Sequence, residues 1–386
     1  MSSHAELLQD LAQARCQTDS LFQLVRPDSL SERPIPERHR IIFYLGHLEA
    51  FDWNLLAPAL DRSAFHASFD HLFSFGIDPP AGQLPSDQPG DWPVESEVRG
   101  YNAQVRGRLD ALLPLAPEQL LHVALEHRLM HAETFAYMLH SLPFARKVPP
   151  AYSVAPSGPA PENPMVGIPP GSATLGRRRD DGFGWDNEFE EHHVEVPAFA
   201  ISRHKITNGE YLEFVKAGAS APHFWTCQAG RWHYRGMFED IPLPHDWPVY
   251  VTHDQARAYA RWKSSSLPTE AQFHRAAYDG ASFAGANAGF RSWDPESVTA
   301  SRPNSRGVSQ MVGNGWEWTS TVFAPFGGFQ PFSFYPGYSA NFFDGQHYVL
   351  KGGSPRTAAC LLRPSFRNWF RPAYPYIYAT FRLVEN

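Results

Sequence analysis

Met311-Val-Gly-Asn-Gly-Trp-Glu-Trp-Thr319 is the stretch that decides the fold class of the second half of the chain. Its two glycines permit backbone angles that other residues avoid, and Asn314 between them tolerates the left-handed region. Trp316 and Trp318 alternate with Glu317, and this period of two places both indoles on one face of an extended segment. Two rigid apolar rings behind a tight turn indicate the floor of a domain or pocket. We interpret the stretch first as a structural corner without chemistry of its own.

The composition predicts a folded chain with room for two domains. The chain has 386 residues, of which 43% are hydrophobic and 19% are charged, so it can bury substantial cores. Its net charge of −7 argues against a general nucleic-acid-binding protein, because such a protein needs a basic face. The sequence contains no GxSxG, P-loop or GxGxxG motif that would indicate a serine hydrolase or a nucleotide-binding protein.

Cysteine usage and hydropathy favour a cytoplasmic location. Cys16, Cys227 and Cys360 are odd in number and far apart, so they indicate neither a disulfide framework nor a CxxC metal site. No N-terminal stretch combines a basic start with an apolar run, so we expect no signal peptide. The sequence also lacks the run of about 18 apolar residues that a membrane span requires.

The first part of the chain carries the periodicity of amphipathic helices. Apolar residues recur at helical spacing in Ala5–Leu21, Ile41–Leu60, Glu95–Leu113 and a segment that opens at Pro117 and ends near Leu142. The Pro79–Pro93 region, rich in Pro, Gly and Asp, is predicted to be a long loop. Four such helices with one long connection predict a four-helix bundle over residues 1–147.

A change of composition marks the domain boundary. Residues 148–164 contain six prolines and predict a semi-rigid linker. Beyond it, residues 165–386 have short strand-like runs, frequent turns and few helical segments, which are Glu210–Ala217, Thr252–Ser264 and Thr269–Tyr278. Thr269 followed by Gln272 is a helix-start signal. The whole chain is therefore predicted to be α+β, with a helical domain before a mixed domain.

Two histidines in the fourth predicted helix have the spacing of metal ligands. His127 and His131 are four residues apart, so their imidazoles lie one turn apart on one helical face. His47 lies within the second helix on the side expected to face the core, and it is a candidate third ligand. Three imidazoles suit Fe(II), Zn(II) or Cu(II) and leave open coordination positions. The alternative is that these histidines lie on the helix surface.

The C-terminal region is dense in arginines and aromatic residues. It carries Arg363, Arg367, Arg371, Trp369, Phe370, Tyr374, Tyr376 and Tyr378. An aromatic surface beside the amide of Asn368 suits a quaternary ammonium ligand, and the arginines could bind a carboxylate. A packed final β-segment is the alternative interpretation.

Six sequence blocks resemble those of a known family, and they are Met165–Gly171, Ile206–Tyr211, Pro248–Thr252, Leu267–Ala271, Gly313–Thr319 and Leu350–Ser354. The second half resembles the formylglycine-generating (sulfatase-modifying) domain, which has a C-type-lectin-like fold, and the first half resembles a DinB-like four-helix bundle. The two in this order resemble the ergothioneine sulfoxide synthases (hercynine oxygenases) and the related selenoneine synthases.

The resemblance implies a specific chemistry. It implies an iron(II) enzyme that uses O2 to join a chalcogen donor to imidazole C2 of hercynine, the trimethylated betaine of histidine. The implied iron ligands are His47, His127 and His131. The implied hercynine contacts are Asn368 and Trp369, which follow Arg367 in an Arg-Asn-Trp motif.

Three departures from the sulfoxide synthase pattern concern the donor. Met130 stands where those enzymes usually have glutamine, Phe370 stands where an aspartate often follows Arg-Asn-Trp, and Phe326 aligns with a proton-donating tyrosine. Phenylalanine can neither donate a proton nor bind an amine. The changes favour a selenosugar donor, as in the selenoneine synthases, with cysteine or γ-glutamylcysteine as the alternative donor. The replacement proton donor is then sought among Tyr374, Tyr376 and Tyr378.

Two further alternatives follow from the domain resemblance. A formylglycine-generating oxidase would rely on a cysteine pair near the C-terminus, and this chain has only Cys360 in that region. A lectin-like binding module attached to an inert helical domain would bind no iron, so a metal analysis separates it from the enzyme.

Overall fold

The computed structural model describes residues 3–74, 83–278 and 285–385 of the chain. The chain divides into two compact units, Met1–Tyr152 (unit 1) and Ser153–Asn386 (unit 2). The division lies within the proline-rich residues 148–164. Across the described residues, no helix combines the length and the apolar character needed to cross a membrane.

Long helices dominate unit 1. The α-helices of its described part are α1 (His4–Phe22), α2 (Ile41–Ala59), α3 (Ala67–Leu72), α4 (Glu95–Asp110) and α5 (Glu118–Ser141). The four long ones lie within three residues of the bounds that the sequence predicts. Helix α3 was not predicted, since six residues are too few to show a helical period. Helix α1 packs against α5, and α2 packs against α4 and α5. Part of the predicted Pro79–Pro93 loop, residues 79–82, lies outside the described residues.

A network of ion pairs, buried at Arg128 and partly exposed at Asp19, connects the four long helices. Arg128 of α5 donates to Asp52 at 2.6 Å and to Glu49 at 3.0 Å, and both carboxylates belong to α2. Arg106 of α4 donates to Glu49 at 2.6 Å and to Asp19 of α1 at 2.7 Å. Because a guanidinium presents its donors in a fixed planar fork, Arg128 fixes the register of α2 against α5.

Unit 2 combines short helices with short strands. Its described α-helices are α6 (Asn208–Lys216), α7 (His253–Trp262) and α8 (Glu270–Ala277). Its described strands are β1 (Met165–Ile168), β2 (Gly171–Leu175), β3 (His192–Val196), β4 (Phe199–Ser202), β5 (Trp225–Gln228), β6 (Arg231–Arg235), β7 (Asp240–Pro242), β8 (Trp316–Val322), β9 (Tyr348–Lys351), β10 (Asn368–Phe370), β11 (Ala379–Thr380) and β12 (Val384–Glu385). The predicted helix start at Thr269 is confirmed, because its hydroxyl accepts from the Gln272 amide at 3.1 Å and Gln272 reciprocates at 2.9 Å.

The described strands form several small sheets. Their orders are β10-β9-β8-β11, β1-β4-β12, β5-β6-β7 and β2-β3. The pairs are antiparallel except that of β8 with β11, which is parallel. Strand β10, which carries the Asn-Trp pair, is thus an edge strand supported by β9.

The Gly313–Thr319 stretch forms a corner that leads into β8. A side chain at Gly313 could not be accommodated, because a Cβ there would lie 2.8 Å from the Asn287 carbonyl oxygen. Glu317 is fully buried and accepts from Lys205 Nζ at 2.6 Å and from Arg382 Nε at 2.9 Å. The Trp318 indole donates to the Val251 carbonyl at 2.9 Å. The carboxylate between the two tryptophans is therefore an internal counter-ion, and the stretch is a structural corner.

Candidate metal centre and substrate-binding residues

The three histidines singled out from the sequence lie together in unit 1. His47 comes from α2, and His127 and His131 come from successive turns of α5. One ring nitrogen of each lies within 4.8 Å of those of the other two. The Nε2 atoms of His47 and His131 are only 3.3 Å apart. This spacing brings the ring nitrogens close enough for one ion to contact all three.

A backbone carbonyl fixes the orientation of the His47 ring. Its Nδ1 lies 2.9 Å from the carbonyl oxygen of Phe73. A carbonyl can only accept, so the Nδ1 carries the proton and Nε2 presents a lone pair toward the other histidines. The ring also stacks on Phe43, with the ring centroids 4.8 Å apart.

Burial keeps the α5 histidines neutral. His127 is buried and stacks on Phe51 with ring centroids 3.4 Å apart. Burial is the main cause that lowers the pKa of His127 well below its ordinary value, and the neighbouring His131 and His47 lower it further. The pKa of His131 is lowered for the same reasons, burial first and His47 second. Neutral imidazoles keep the lone pairs that a metal requires.

The donor set fits a first-row transition metal. Three neutral imidazoles converge from two helices, and the part of the chain that the structure describes places no carboxylate or thiolate within that group. Imidazole ligands suit iron, zinc and copper, whereas calcium and magnesium prefer oxygen. His47, His127 and His131 can therefore hold such an ion and leave further coordination positions for other ligands.

The residues proposed to contact the substrate lie on strand β10 of unit 2 and beside it. Strand alternation sends Trp369 to one face and Asn368 and Phe370 to the other. Trp369 stacks on Phe323 with ring centroids 4.3 Å apart and an interplanar angle of 7°. Phe370 stacks on Tyr374 at 5.3 Å. The sequence motif therefore supplies two different surfaces.

Asn368 has a defined amide orientation. Its Oδ1 accepts from the backbone N–H of Trp369 at 2.9 Å. The Nδ2 group, which carries two donors, is consequently directed away from that backbone amide. Asn368 is half-buried.

Arg367 and Arg363 are engaged inside unit 2. Arg367 is buried, donates to Glu270 at 3.1 Å and to the Ala324 carbonyl at 2.9 Å, and lies over the Phe326 ring at 4.1 Å. Arg363 donates to Glu188 at 2.8 Å. Both guanidiniums therefore hold internal carboxylates.

The remaining candidates differ in their surroundings. Phe326 is half-buried between Arg367 and His192, whose ring centroid is 4.4 Å away. Tyr374 and Tyr376 are half-buried neighbours, with ring centroids 5.1 Å apart. Tyr378 is buried, with its ring 5.6 Å from that of Tyr250. Met130 is half-buried on α5, directly before His131.

Some functional features carry no sequence signal. The Phe73 carbonyl that orients His47 is a backbone atom, and any residue could supply it. Glu270, which holds Arg367 and lies 3.7 Å from Lys351 Nζ, occupies the first turn of α8, where an acidic residue looks like an ordinary helix start. Neither position could be found by motif or spacing.

Comparisons with known proteins agree on one family. Residues 152–386 match the family model of the sulfatase-modifying factor enzyme 1-like domain. The hercynine oxygenase of Mycolicibacterium smegmatis is 32% identical, over 86% of this chain and 84% of that protein. Ergothioneine biosynthesis protein 1 of Neurospora crassa is 27% identical over 94% of this chain. This chain spans only 56% of the length of the Neurospora protein.

A solved structure is also similar to part of this chain. The structure of PvdO from Pseudomonas aeruginosa matches 57% of this chain and 93% of that protein, with a TM-score of 0.43 and 22% identity. The family model covers more than half of the chain, and the mycobacterial relative is similar along most of both sequences. The chain therefore belongs to the sulfatase-modifying factor enzyme 1-like family and, within it, to the group of the hercynine oxygenases and ergothioneine biosynthesis proteins.

Proposed function

We propose that the chain is a non-heme iron(II) enzyme that uses O2 to join the sulfur of a thiol to imidazole C2 of hercynine. The observation that carries the proposal is the group of three imidazole nitrogens within 4.8 Å, in a chain related to a hercynine oxygenase. The reaction balances as hercynine plus a thiol plus O2 giving a C2-linked sulfoxide plus water. The C2–H and S–H bonds are lost, and one oxygen atom enters each product.

The metal site is assigned to unit 1. We propose that unit 1 is a DinB-like helical bundle and that His47, His127 and His131 hold the iron. When bound, iron(II) would activate O2 and lower the pKa of a coordinated thiol. The protein contributes neutral, preoriented imidazoles, because the Phe73 carbonyl sets the tautomer of His47 and burial keeps His127 uncharged.

Hercynine recognition is assigned to strand β10. The Asn368 amide donors suit the hercynine carboxylate, and the aromatic ring of Trp369 suits its trimethylammonium group by cation–π attraction. The stack of Trp369 on Phe323 keeps that ring from rotating, so less entropy is lost when the ligand binds. Tyr374 and Tyr376 are half-buried, which makes them better proton-donor candidates than the buried Tyr378.

The relatives favour sulfur over selenium. Their names specify ergothioneine biosynthesis and hercynine oxygenation, so cysteine or γ-glutamylcysteine is the first donor to test. The selenosugar that the sequence favours is kept as the second candidate because of Met130, Phe326 and Phe370. These three side chains offer no charge or proton to an amino-acid donor, and the stack of Phe370 on Tyr374 suits an uncharged partner such as a sugar.

A donor competition assay tests the proposal. Protein loaded anaerobically with Fe(II) is mixed with hercynine and O2 plus cysteine, γ-glutamylcysteine or a selenosugar, while O2 uptake and product masses are followed. We expect hercynine-dependent O2 uptake and a C2-linked sulfur product, and no product from the His131→Ala variant. Turnover with the selenosugar alone would replace the sulfur assignment by the second candidate. Iron-loaded protein that consumes no O2 with any donor would refute the hercynine function.

A further inference from the structure

His47 differs from the other two histidines in how its position is determined. His127 and His131 share α5, so helix geometry alone sets their spacing. His47 stands alone on α2, and its ring must present Nε2 rather than Nδ1 to the pair. A neutral imidazole in the wrong tautomer would point an N–H at the ion and bind nothing. The contact that decides the tautomer is the Phe73 carbonyl at 2.9 Å from Nδ1.

The Phe73 carbonyl is held in place by its own side chain. Phe73 caps the C-terminus of α3, and its ring is fully buried. The ring contacts Phe69, with centroids 5.6 Å apart, and Trp92, with centroids 6.1 Å apart. A buried ring with neighbours on several sides resists displacement, and this packing restrains the backbone that carries it.

The ring lies against α2 at a glycine. A Cβ added to Gly46 would lie 2.6 Å from the Phe73 ring carbons, far inside van der Waals contact. Gly46 directly precedes His47 in the chain. The gap on α2 that admits the Phe73 ring therefore lies next to the histidine that the Phe73 carbonyl orients. Glycine in mid-helix costs about 1 kcal/mol relative to alanine in helix propensity. Gly46 therefore lowers the intrinsic stability of α2, and the close approach of the Phe73 ring explains why this position needs a glycine.

We infer that Gly46 and Phe73 act together as a positioning device that locks His47 in the Nδ1–H tautomer. The glycine admits the ring, the ring anchors the backbone of Phe73, and the carbonyl of that residue takes the Nδ1 proton. The device rests on the proposed metal function, since its purpose is to present Nε2 as a ligand. Neither residue belongs to the proposed iron ligands or to the proposed hercynine contacts.

The first test determines the tautomer of His47 in metal-free protein. Apo-protein labelled with ¹⁵N at histidine is examined by NMR, and the His47 signals are assigned by their loss in His47→Gln. We expect the wild type to show a protonated Nδ1 and an unprotonated Nε2. In Gly46→Ala, the displaced Phe73 carbonyl should leave His47 in a mixture of tautomers. A wild-type protein with the proton on Nε2 would overturn the inference, whatever the enzyme does.

The second test reads metal affinity. We expect Gly46→Ala to weaken Fe(II) and Co(II) binding by about 10–100-fold, the usual effect of losing an outer-shell partner. Gly107→Ala on α4 is the matched control, because it also places alanine in a helix of unit 1 but meets no atom within 4 Å. Circular dichroism confirms that both variants remain folded. Unchanged affinity in Gly46→Ala would overturn the inference.

A rescue variant separates positioning from general damage. Adding Phe73→Ala to Gly46→Ala removes the ring carbons Cγ, Cδ1 and Cδ2 that the new methyl group would meet, so part of the lost affinity should return. No recovery, with both proteins folded, would show that Gly46 does not act through Phe73. If the wild type itself bound no metal while its tautomer were as expected, the proposed iron function would fail and the tautomer assignment would stand.

Discussion

Glu188 is a buried carboxylate whose negative charge is stabilised by a neighbouring arginine. It is fully buried and accepts from Arg363 Nε at 2.8 Å and from the Ser365 hydroxyl at 2.6 Å. Burial alone would raise the pKa of Glu188, but Arg363 and the hydrogen bonds outweigh it and lower the pKa below its ordinary value. The carboxylate thus stabilises unit 2 only while it is ionised.

Replacing Arg363 should therefore cost stability in a pH-dependent way. Arg363→Met leaves a buried charge uncompensated, and we expect a loss of about 3–5 kcal/mol in the free energy of unfolding at pH 7. A carboxyl with a lowered native pKa contributes its stability above the unfolded pKa of about 4.3 and loses it as the pH falls through the native value. The difference between the variant and the wild type should shrink on acidification below about pH 4.

Urea denaturation at a series of pH values, followed by tryptophan fluorescence, measures this difference. Arg178→Met is the control, because Arg178 pairs with Asp180 on the surface and should matter little. A stability loss in Arg363→Met that did not vary with pH would contradict the role given to Glu188.

The proposed metal ligands lead to a second prediction for single residues. His131→Ala should lower metal affinity by more than the roughly 10–100-fold expected for an outer-shell change, since a direct ligand is lost. His122→Ala is the matched control on α5, because His122 lies beside Glu118 rather than in the group of three. Isothermal titration with Co(II) under anaerobic conditions measures the metal affinity of both variants. Equal affinity in the two variants would remove His131 from the ligand set.

Residues whose relation is local could be predicted from spacing, whereas His47 was the exception among residues whose relation is distant. The spacing of His127 and His131 is a property of one helix, so the sequence contains it. The identity of Glu317 as an internal counter-ion depends on Lys205 and Arg382, which come from other parts of unit 2. The Phe73 carbonyl depends on the path of the backbone after α3, which no side-chain pattern encodes.

At the scale of single elements, strand β10 divides the Arg-Asn-Trp motif between two faces. Trp369 packs on Phe323, and its ring also lies 5.4 Å from that of Tyr338. Asn368 and Phe370 face the other way, and Phe370 stacks on Tyr374. The motif reads as one unit in sequence, but only the pleat of the strand shows which residues share a surface.

Trp369 should contribute to both binding and stability. Trp369→Ala removes a cation–π partner worth about 0.5–2 kcal/mol, so hercynine should bind more weakly, and it also removes the stack on Phe323. Trp369→Phe keeps an aromatic ring on that face and should retain most of the affinity. Calorimetric titration with hercynine measures binding, and thermal unfolding measures the packing loss. Hercynine affinity that is unchanged in a folded Trp369→Ala protein would exclude the contact.

The register of α2 against α5 depends on Arg128. Its guanidinium is fully buried and donates to Glu49, Asp52 and the Leu48 carbonyl, all on α2. Buried ion pairs are weak contributors to stability relative to apolar packing, but removal of one partner is costly. The main effect of the network is therefore to set the register of α2 against α5, the two helices that carry the histidines.

Loss of this network should weaken metal binding although none of the proposed ligands is changed. Arg128→Met should destabilise unit 1 by about 3–5 kcal/mol, and it should weaken metal binding because His47 is no longer held in register with α5. Arg99→Met is the control on α4, since Arg99 forms an exposed pair with Glu95 worth about 0.3–0.5 kcal/mol. Denaturation and Co(II) titration measure the two effects. Loss of stability with unchanged affinity would show that the network has only a structural role.

Helix bounds could be predicted more readily than strand pairing. The long helices of unit 1 have caps and apolar stripes within their own residues, such as the Ser3–Glu6 capping box of α1. The strands of unit 2 have two to seven residues, and several pair with partners far away in the chain, as β12 does with β4. Short strands show too little alternation to reveal their faces.

At the scale of the whole molecule, each unit has its own buried interior. Unit 1 buries the apolar stripes of its long helices, whereas unit 2 has a separate apolar cluster that includes Ile201, Phe273 and Val384. The candidate metal ligands all belong to unit 1, and Asn368 and Trp369 belong to unit 2. Metal binding and hercynine recognition are thus assigned to different units.

Separation of the units should separate these two properties. A fragment of residues 1–152 contains the three histidines, the Phe73 carbonyl and the whole ion network, so we expect it to fold as a helical protein and to bind Co(II) with an affinity close to that of the full chain. A fragment of residues 153–386 should fold with its own sheets and bind little metal. Circular dichroism establishes folding, and Co(II) titration of each fragment measures binding. A folded first fragment that bound no metal, beside a full chain that did, would show that the ligand set includes a residue of unit 2.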